Sequence, residues 1–232
     1  MPKLVFDIET IGEDYDSLDK DTQGALTKWI KGQSKNDDEY QNELKKLKDE
    51  TGLSPLTGSI VCIGVLDVEK DKGAVYFQAP DSDIKETEEN GIKFKPMTEK
   101  EMLENFWQGV TKYDQVVTFN GRSFDAPFLM LRSAIHGIKP SKNLMPYRYA
   151  TDTNHLDLYD QMSFYGSSRK KGGLHLYCRA FNIESPKKDG MSGDNVTKMF
   201  KEKKYKEIAE YNADDIKATK ELYLYWEKYL KF

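Results

Sequence analysis

The amino-acid sequence predicts an α/β protein with a mixed central β-sheet flanked by helices, in which an antiparallel hairpin precedes parallel strands. Two kinds of pattern support this fold class. Runs rich in β-branched residues fit strands, as in SIVCIGVLDV at 59–68 and QVVTF at 115–119. Helical apolar periodicity follows the later strands, as expected of alternating strands and helices. No internal repeat or linker divides the chain, so we expect one domain over residues 1–232.

Composition indicates the class of protein and its compartment. The chain has 232 residues, enough for a substantial core, and its mean hydropathy of −0.74 predicts a soluble protein. No apolar run reaches the length of a membrane span, and the first strand begins without signal-peptide architecture. Cys62 and Cys178 lie in apolar contexts and are predicted to be buried free thiols, which fits a cytoplasmic location. The net charge of −4 gives no global attraction for nucleic acid, so a polyanionic partner needs local basic patches or metals.

The first strand, VFDIET at 5–10, carries two acids two positions apart. Residues i and i+2 of a strand point to one face, so Asp7 and Glu9 lie side by side. Phe6 and Ile8 point the other way. Two adjacent carboxylates repel, and a divalent cation such as magnesium offsets that repulsion. For this hexapeptide alone, an edge strand with one solvated polar face is the simpler interpretation.

The elements that follow alternate between polar and apolar segments. A charged helical insertion is predicted at about 12–52, and its charges indicate a solvated face, with a lid or substrate-guiding role as the alternative. Trp29, Trp107 and Trp226 fall at helical apolar spacing, which predicts packing. The predicted elements are helices at 22–30 and 37–49, a hairpin at 59–78, an irregular loop at 80–97, a helix with a capping box at Thr98, a strand at 115–119, a helix at 124–136, a strand ending at 158, and helices at 174–181, 195–203 and 206–228.

Further acids occur at places that fit a shared site. Asp125 follows a strand and a tight turn, where it could equally cap the helix that begins there. Tyr211 and Asp215 are four apart and hence on one face of the last helix, although a tyrosine–aspartate hydrogen bond in the core would explain this pair as well. Asp214 lies about 100° around the helix from Asp215. Each acid alone is weak evidence, whereas their types and order together are specific.

These residues together resemble the DEDD superfamily of 3′–5′ exonucleases, which has the ribonuclease H-like fold. The first motif, D-x-E, matches FDIET at 6–10, and the second, N-x-x-x-F-D, matches NGRSFD at 120–125. The third motif of the tyrosine branch, Y-x-x-x-D, matches YNADD at 211–215. The histidine branch would need a histidine at the position of Glu210. The resemblance spans residues 3–220 and points to the stand-alone group related to the exonuclease domain of family B DNA polymerases, with HLDL at 155–158 and KDGMSG at 188–193 as intermediate segments.

The resemblance implies that two divalent ions, Mg²⁺ or Mn²⁺, promote phosphodiester hydrolysis from positions about 3.5–4 Å apart. It implies that Asp7 bridges both ions and that Glu9 and Asp215 complete the nucleophile-side site. Asp125 would support the second site. Tyr211 would orient the attacking water, because a phenol of ordinary pKa is a poor base at neutral pH. The implied substrate-binding positions are Asn120, Phe124, and the backbone at Thr10 and Ile11.

A basic loop with glycines, GSSRKKGG at 166–173, suits the phosphates of an entering strand. The cations in it are Arg169, Lys170 and Lys171. A solvated surface loop explains the same residues equally well, and the sequence does not distinguish the two interpretations.

The sequence therefore predicts a metal-dependent 3′–5′ exonuclease. Its expected partner is single-stranded nucleic acid with a free 3′ end, DNA favoured over RNA, and its expected products are 5′-mononucleotides. Two alternatives stay open: an exoribonuclease, because the motifs do not report on the 2′-hydroxyl, and a non-catalytic nucleic-acid-binding domain of the same fold. The presence of all five motif residues argues against the second alternative.

Overall fold

The computed structural model describes residues 1–149, 153–168, 172–185 and 195–231. The strands in these ranges are β1 (Lys3–Gly12), β2 (Gly58–Asp67), β3 (Lys72–Phe77), β4 (Thr87–Glu89), β5 (Ile92–Pro96), β6 (Gln115–Thr118) and β7 (His155–Asp157). They form one sheet in the order β4-β5-β3-β2-β1-β6-β7. The strand that carries the first two acids is therefore interior to the sheet, and not at its edge as the simpler interpretation of the hexapeptide would have it.

The sheet is mixed, as predicted. β1 pairs antiparallel with β2 and parallel with β6, while β3 continues the hairpin and β7 continues the parallel side. The expectation of an irregular loop at 80–97 is wrong, because β4 and β5 extend the sheet beyond β3. Ile92 and Phe94 of β5 are buried, whereas every residue of β4 is exposed. An edge pair with so few apolar residues gives only a weak strand pattern.

Helices cover both faces of the sheet. They are α1 (Lys20–Gln33), α2 (Asp37–Asp49), α3 (Glu99–Val110), α4 (Asp125–Ile135), α5 (Leu158–Met162), α6 (Leu174–Phe181), α7 (Val196–Lys201) and α8 (Tyr205–Tyr229). Phe6 and Ile8 of β1 belong to the core that α3 and α4 cover. Val5 belongs to the core on the opposite face, under α8. The period of two in β1 therefore directs the side chains of Asp7 and Glu9 toward α8.

The charged insertion lies between β1 and β2 and consists chiefly of α1 and α2. No residue within α2 is buried, as expected of a solvated charged helix. Trp29 of α1 is 52% exposed, so the prediction that it packs is wrong, whereas Trp107 and Trp226 are buried as predicted. The buried stripe of α1 consists of Thr27 and Ile30, and Trp29 lies beside that stripe.

Two further expectations concern thiols and membranes. Cys62 and Cys178 are free and buried, as predicted, and burial raises the pKa of both thiols. Among the helices of the described ranges, none combines the length and the apolar character needed to cross a bilayer.

Candidate active site

Three carboxylates meet where α8 crosses the middle of the sheet. One oxygen from each of Asp7, Glu9 and Asp215 lies within 4.8 Å of the other two. Asp7 and Glu9 come from the α8-facing side of β1, and Asp215 comes from α8 itself, one helical turn after Tyr211. The fold thus brings together acids from opposite ends of the chain.

Burial and crowding make the carboxyl groups of Asp7 and Glu9 hard to ionise. Desolvation raises the pKa of Asp7 well above its ordinary value, and the charges on Asp125, Asp215 and Glu9 raise it further. Desolvation likewise raises the pKa of Glu9, with Asp215 and Asp125 adding to the effect. Hard divalent cations take carboxylate oxygens as ligands and offset their charge. The donor set therefore fits the divalent metal that the sequence resemblance implies.

Asp125 lies beside this cluster and not within it, since it is not one of the three acids that share the 4.8 Å limit. Its Oδ1 accepts a hydrogen bond from the N–H of Ile8 at 3.0 Å, which ties the first turn of α4 to β1. Burial raises the pKa of Asp125 to about 7. Asp125 is not the N-cap residue of α4, which is Phe124 and makes no side-chain cap bond, but it lies in the first turn, where an acid suits the positive end of the helix.

Tyr211 is buried beside the same acids. Burial raises the pKa of its phenol above the ordinary value, and the charges on Asp215, Glu9 and Asp7 and a hydrogen bond with Asp215 raise it further. The phenol therefore stays protonated and donates to Asp215. The tyrosine–aspartate pair considered from the sequence is present, and it lies at the carboxylate cluster.

Sequence reasoning missed Asn212, which is fully buried on α8. Its Nδ2 donates to Oδ2 of Asp7 at 2.8 Å, and this bond lowers the pKa of Asp7 against the larger effect of burial. Its Oδ1 is buried without a hydrogen-bond partner in the described residues. No pattern singles out this asparagine, because its role depends on how α8 lies over β1.

Asp157 is a second residue for which the sequence predicts no role of its own, although its segment belongs to the family resemblance. Its Oδ1 accepts from the N–H of Asn120 at 2.8 Å, and its Oδ2 accepts from the N–H of Arg122 at 2.9 Å. Asn120 has a φ of 63°, a left-handed conformation that asparagine adopts more readily than most residues. Asp157 thus fixes the turn that precedes Asp125. An acid at the end of a buried strand is the signal that could have identified it.

A cleft of about 520 Å³ opens beside Glu9. Of the predicted substrate-binding residues, Thr10 and Phe124 line it. Ile11 does not, because its side chain packs against the core and its backbone pairs with Ser59 of β2. The cleft therefore places an aromatic ring and the end of β1 next to the acids.

The charged insertion forms another wall of this cleft. The residues of α2 that line it are Asn42, Lys45, Lys46 and Asp49. The hydroxyl of Thr10 donates to the carbonyl oxygen of Gly52 at 2.7 Å, which ties the end of the insertion back to β1. The insertion thus borders the site and is not only a solvated surface.

Asn120 lines a different groove, of about 740 Å³, together with Phe119 and Ser123. Arg169, Lys170 and Lys171 fall outside the described residues, and so does the KDGMSG segment at 188–193. Their predicted roles stay predictions.

Comparisons with known proteins agree with this fold. The chain is similar to the family B DNA polymerase from the hyperthermophilic archaeon Pyrobaculum calidifontis, with a TM-score of 0.59 and 15% sequence identity. The alignment covers 97% of this chain and 24% of the polymerase, so the chain spans about a quarter of that protein's length. This likeness shows the α/β, ribonuclease H-like fold that the sequence predicts. Comparison with curated proteins gave no match.

The family model of predicted 3′–5′ exonucleases related to the exonuclease domain of PolB matches residues 60–231, which is most of the chain. The matched range includes Asp125, Tyr211 and Asp215 but not β1, which lies before it. The structure places Asp7 and Glu9 of β1 beside Asp215. The chain therefore belongs to the family of predicted 3′–5′ exonucleases related to the exonuclease domain of PolB.

Proposed function

We propose that this chain, as a single domain, is a metal-dependent 3′–5′ exonuclease that hydrolyses the last phosphodiester bond of single-stranded nucleic acid and releases 5′-mononucleotides. The observation that carries the proposal is the meeting of Asp7, Glu9 and Asp215 within 4.8 Å, with Asp125 and Tyr211 beside them, in a member of this family. DNA is the favoured substrate because the structural likeness is to a DNA polymerase.

The carboxylates are assigned as metal ligands. Asp7 would be shared by two divalent ions, Mg²⁺ or Mn²⁺, Glu9 and Asp215 would complete the site on the nucleophile side, and Asp125 would support the second site. When bound, such ions activate water, stabilise the charge that develops on phosphorus and neutralise the leaving oxygen. Asn212 donates a hydrogen bond to Oδ2 of Asp7. This bond holds the whole carboxylate, Oδ1 included, in one orientation.

Tyr211 is assigned to positioning the attacking water. Its raised pKa keeps the phenol protonated, so it does not act as a base. The hydroxyl donates a hydrogen bond to Asp215, and its oxygen accepts a hydrogen bond from the water. Asp215 therefore fixes the direction of the phenol and, through it, the approach of the nucleophile.

The cleft beside Glu9 is assigned to the terminal nucleotide. Its volume of about 520 Å³ falls in the range of small-ligand sites. The ring of Phe124, backed by Phe128 at a centroid distance of 5.4 Å, offers an apolar surface to a base. Lys45 and Lys46 on α2 offer charge to the phosphates, which puts the insertion in contact with the substrate.

The test measures the release of nucleotides from nucleic-acid strands whose ends are known. With Mg²⁺ or Mn²⁺, a strand labelled at its 5′ end should shorten stepwise from its 3′ end, and chelator should stop the reaction. Closed circular single strands should resist, and DNA should be degraded faster than RNA of the same sequence. Undiminished cleavage in chelator, or circles cut as fast as linear strands, would refute the proposal. Binding without any release would favour the non-catalytic alternative.

A further inference from the structure

Three tyrosines contact one another at the surface near the groove that Asn120 lines, with their ring planes 73° and 55° apart. Tyr147, Tyr149 and Tyr165, here called the tyrosine row, are 74%, 58% and 41% exposed. Ring centroids lie 5.8 Å apart between the first two and 5.1 Å apart between the last two. A contiguous exposed aromatic patch of this kind usually marks a place where another molecule binds.

The backbone under the row is strained. Phe164 and Tyr165 have φ values of 51° and 54°, which bulky residues rarely adopt. The N–H of Tyr165 donates to the carbonyl oxygen of Asp160 at 2.7 Å, and Gln161 donates from Nε2 to the Tyr165 hydroxyl at 2.8 Å. Such conformations persist only where the surroundings impose them, and they concentrate at functional sites. Tyr165 is therefore held in place from two sides.

Arg148 fixes the other two tyrosines. Its Nε donates to Oδ2 of Asp160 at 2.9 Å and its Nη2 donates to Oδ1, which makes a two-pronged ion pair. Asp160 is buried in α5, whereas about half of the Arg148 side chain is exposed. Because Arg148 lies between Tyr147 and Tyr149, this pair anchors their segment to α5, next to Tyr165.

The row shares a groove with the turn that leads into Asp125. Tyr165 and Arg148 line the same groove of about 740 Å³ as Asn120 and Ser123. Asn120 begins the turn that Asp157 holds and that leads into Asp125. A single strand of nucleic acid lying in this groove would pass from Asn120 to the tyrosine row.

We propose that the tyrosine row is a stacking platform for bases of single-stranded nucleic acid upstream of the 3′ end. This inference rests on the proposed function, because the groove joins the row to the turn that leads into Asp125. Every base offers a π-face, so stacking on aromatic side chains binds single strands with little sequence preference. Arg148, whose side chain is about half exposed and whose charge is paired with Asp160, offers its remaining guanidinium N–H donors to the backbone of the strand.

The test measures binding and not hydrolysis, in chelator so that the strand stays intact. The probe is a labelled ten-nucleotide single strand, and the readout is fluorescence anisotropy. Tyr147→Ala/Tyr149→Ala should weaken binding by about 5- to 150-fold for each base that loses its stacking partner. Tyr147→Phe/Tyr149→Phe should bind as the parent does, since the ring faces remain. Tyr229→Ala removes a 60% exposed tyrosine that stacks on Tyr225 at the far end of α8, and it should also bind normally.

A strand with abasic sugars upstream of its last three nucleotides separates base stacking from phosphate contacts. The parent should bind it as weakly as the double alanine variant binds the complete strand. Parental affinity in the double alanine variant, or an equal loss in the double phenylalanine variant, would overturn the platform. If the parent binds strands through the row and yet releases no nucleotide with Mg²⁺, the proposed activity fails and the platform stands. If nucleotides are released and the row has no effect on binding, the platform alone fails.

Discussion

The side chain of Asn212 donates a hydrogen bond from Nδ2 to Oδ2 of Asp7 across 2.8 Å. This bond joins α8 to β1, an interior strand of the sheet, and restrains the orientation of the Asp7 carboxylate. Partners of metal ligands of this kind set the orientation of the ligand. Asn212 is therefore a positioning residue in the proposed mechanism.

Replacing Asn212 tests that role. Asn212→Ala should raise the Mn²⁺ concentration needed for half-maximal activity by about 10- to 100-fold, and saturating metal should restore part of the rate. Asn105→Ala, on α3 and away from the acids, is the control. A metal dependence equal to that of the parent would reduce Asn212 to a packing residue.

Asp7→Asn should separate metal binding from folding. In chelator the variant should unfold no earlier than the parent, because it removes one charge from a crowded set and keeps an oxygen that accepts from Asn212. Mn²⁺ at about 100 times its Kd stabilises a binding protein by about 2.7 kcal/mol, and the variant should gain much less. It should also be nearly inactive. Thermal unfolding with chelator and with Mn²⁺ measures the stability effects, a nucleotide-release assay measures the activity, and a parental response to Mn²⁺ would place the metal elsewhere.

Tyr211→Phe removes one hydroxyl and no carboxylate. It should keep the full Mn²⁺-induced rise in melting temperature, while the single-turnover rate should fall by roughly 10- to 1,000-fold as the water loses a positioning hydrogen bond. A fully active variant would leave Tyr211 as a packing residue and the four acids as the catalytic set.

Asp125→Asn should reveal the cost of ionising a buried carboxyl group. The pKa of Asp125 is about 7 in the folded chain against an ordinary value of 3.8, so the folded state holds a proton that the unfolded state releases. The stability that this proton provides is present below the unfolded pKa and is lost as the pH rises through about 7. In chelator, the free energy of unfolding of the variant should therefore rise relative to the parent between about pH 4 and about pH 7, by about 1.4 kcal/mol per pH unit, and the difference should level off above that range. Denaturant titrations across this range measure it, and a constant difference between the two proteins would contradict it.

Lys45→Ala/Lys46→Ala tests the contact between α2 and the substrate. KM for a single strand should rise with little change in kcat. The slope of the logarithm of the binding constant against the logarithm of the salt concentration should become shallower by about 0.7 for each phosphate that a lysine no longer neutralises. Lys28→Ala/Lys31→Ala makes the same charge change on the exposed side of α1. If both pairs behave alike, the effect is one of net charge and α2 does not touch the strand.

The sequence predicts what depends on local period and order. The alternation in β1 was sufficient to direct Asp7 and Glu9 to one face and Phe6 to the other, because a strand has a period of two. The spacing of Tyr211 and Asp215 was sufficient to place them on one face of a helix.

Other features depend on tertiary placement and were beyond such reasoning. Asn212 touches Asp7 only because α8 crosses β1 at that residue, and Asp157 supports Asn120 only because β7 lies beside β6. The wall that α2 provides to the cleft is likewise a matter of how the insertion folds back, which a charged helical pattern does not specify.

Gly64 lies opposite Asp7 in the ladder between β1 and β2. A Cβ at this position would fall 2.1 Å from Oδ1 of Asn212 and 3.0 Å from Cγ2 of Ile216, both on α8. A side chain there would have to displace the Asn212 side chain that holds Asp7 or move the last helix, which carries Asp215, away from the sheet. Gly64 thus helps to set the distance between α8 and the sheet. That distance determines how far Asp215 on α8 lies from Asp7 and Glu9 on β1. The geometry of the candidate site therefore also depends on Gly64, which contributes by having no side chain.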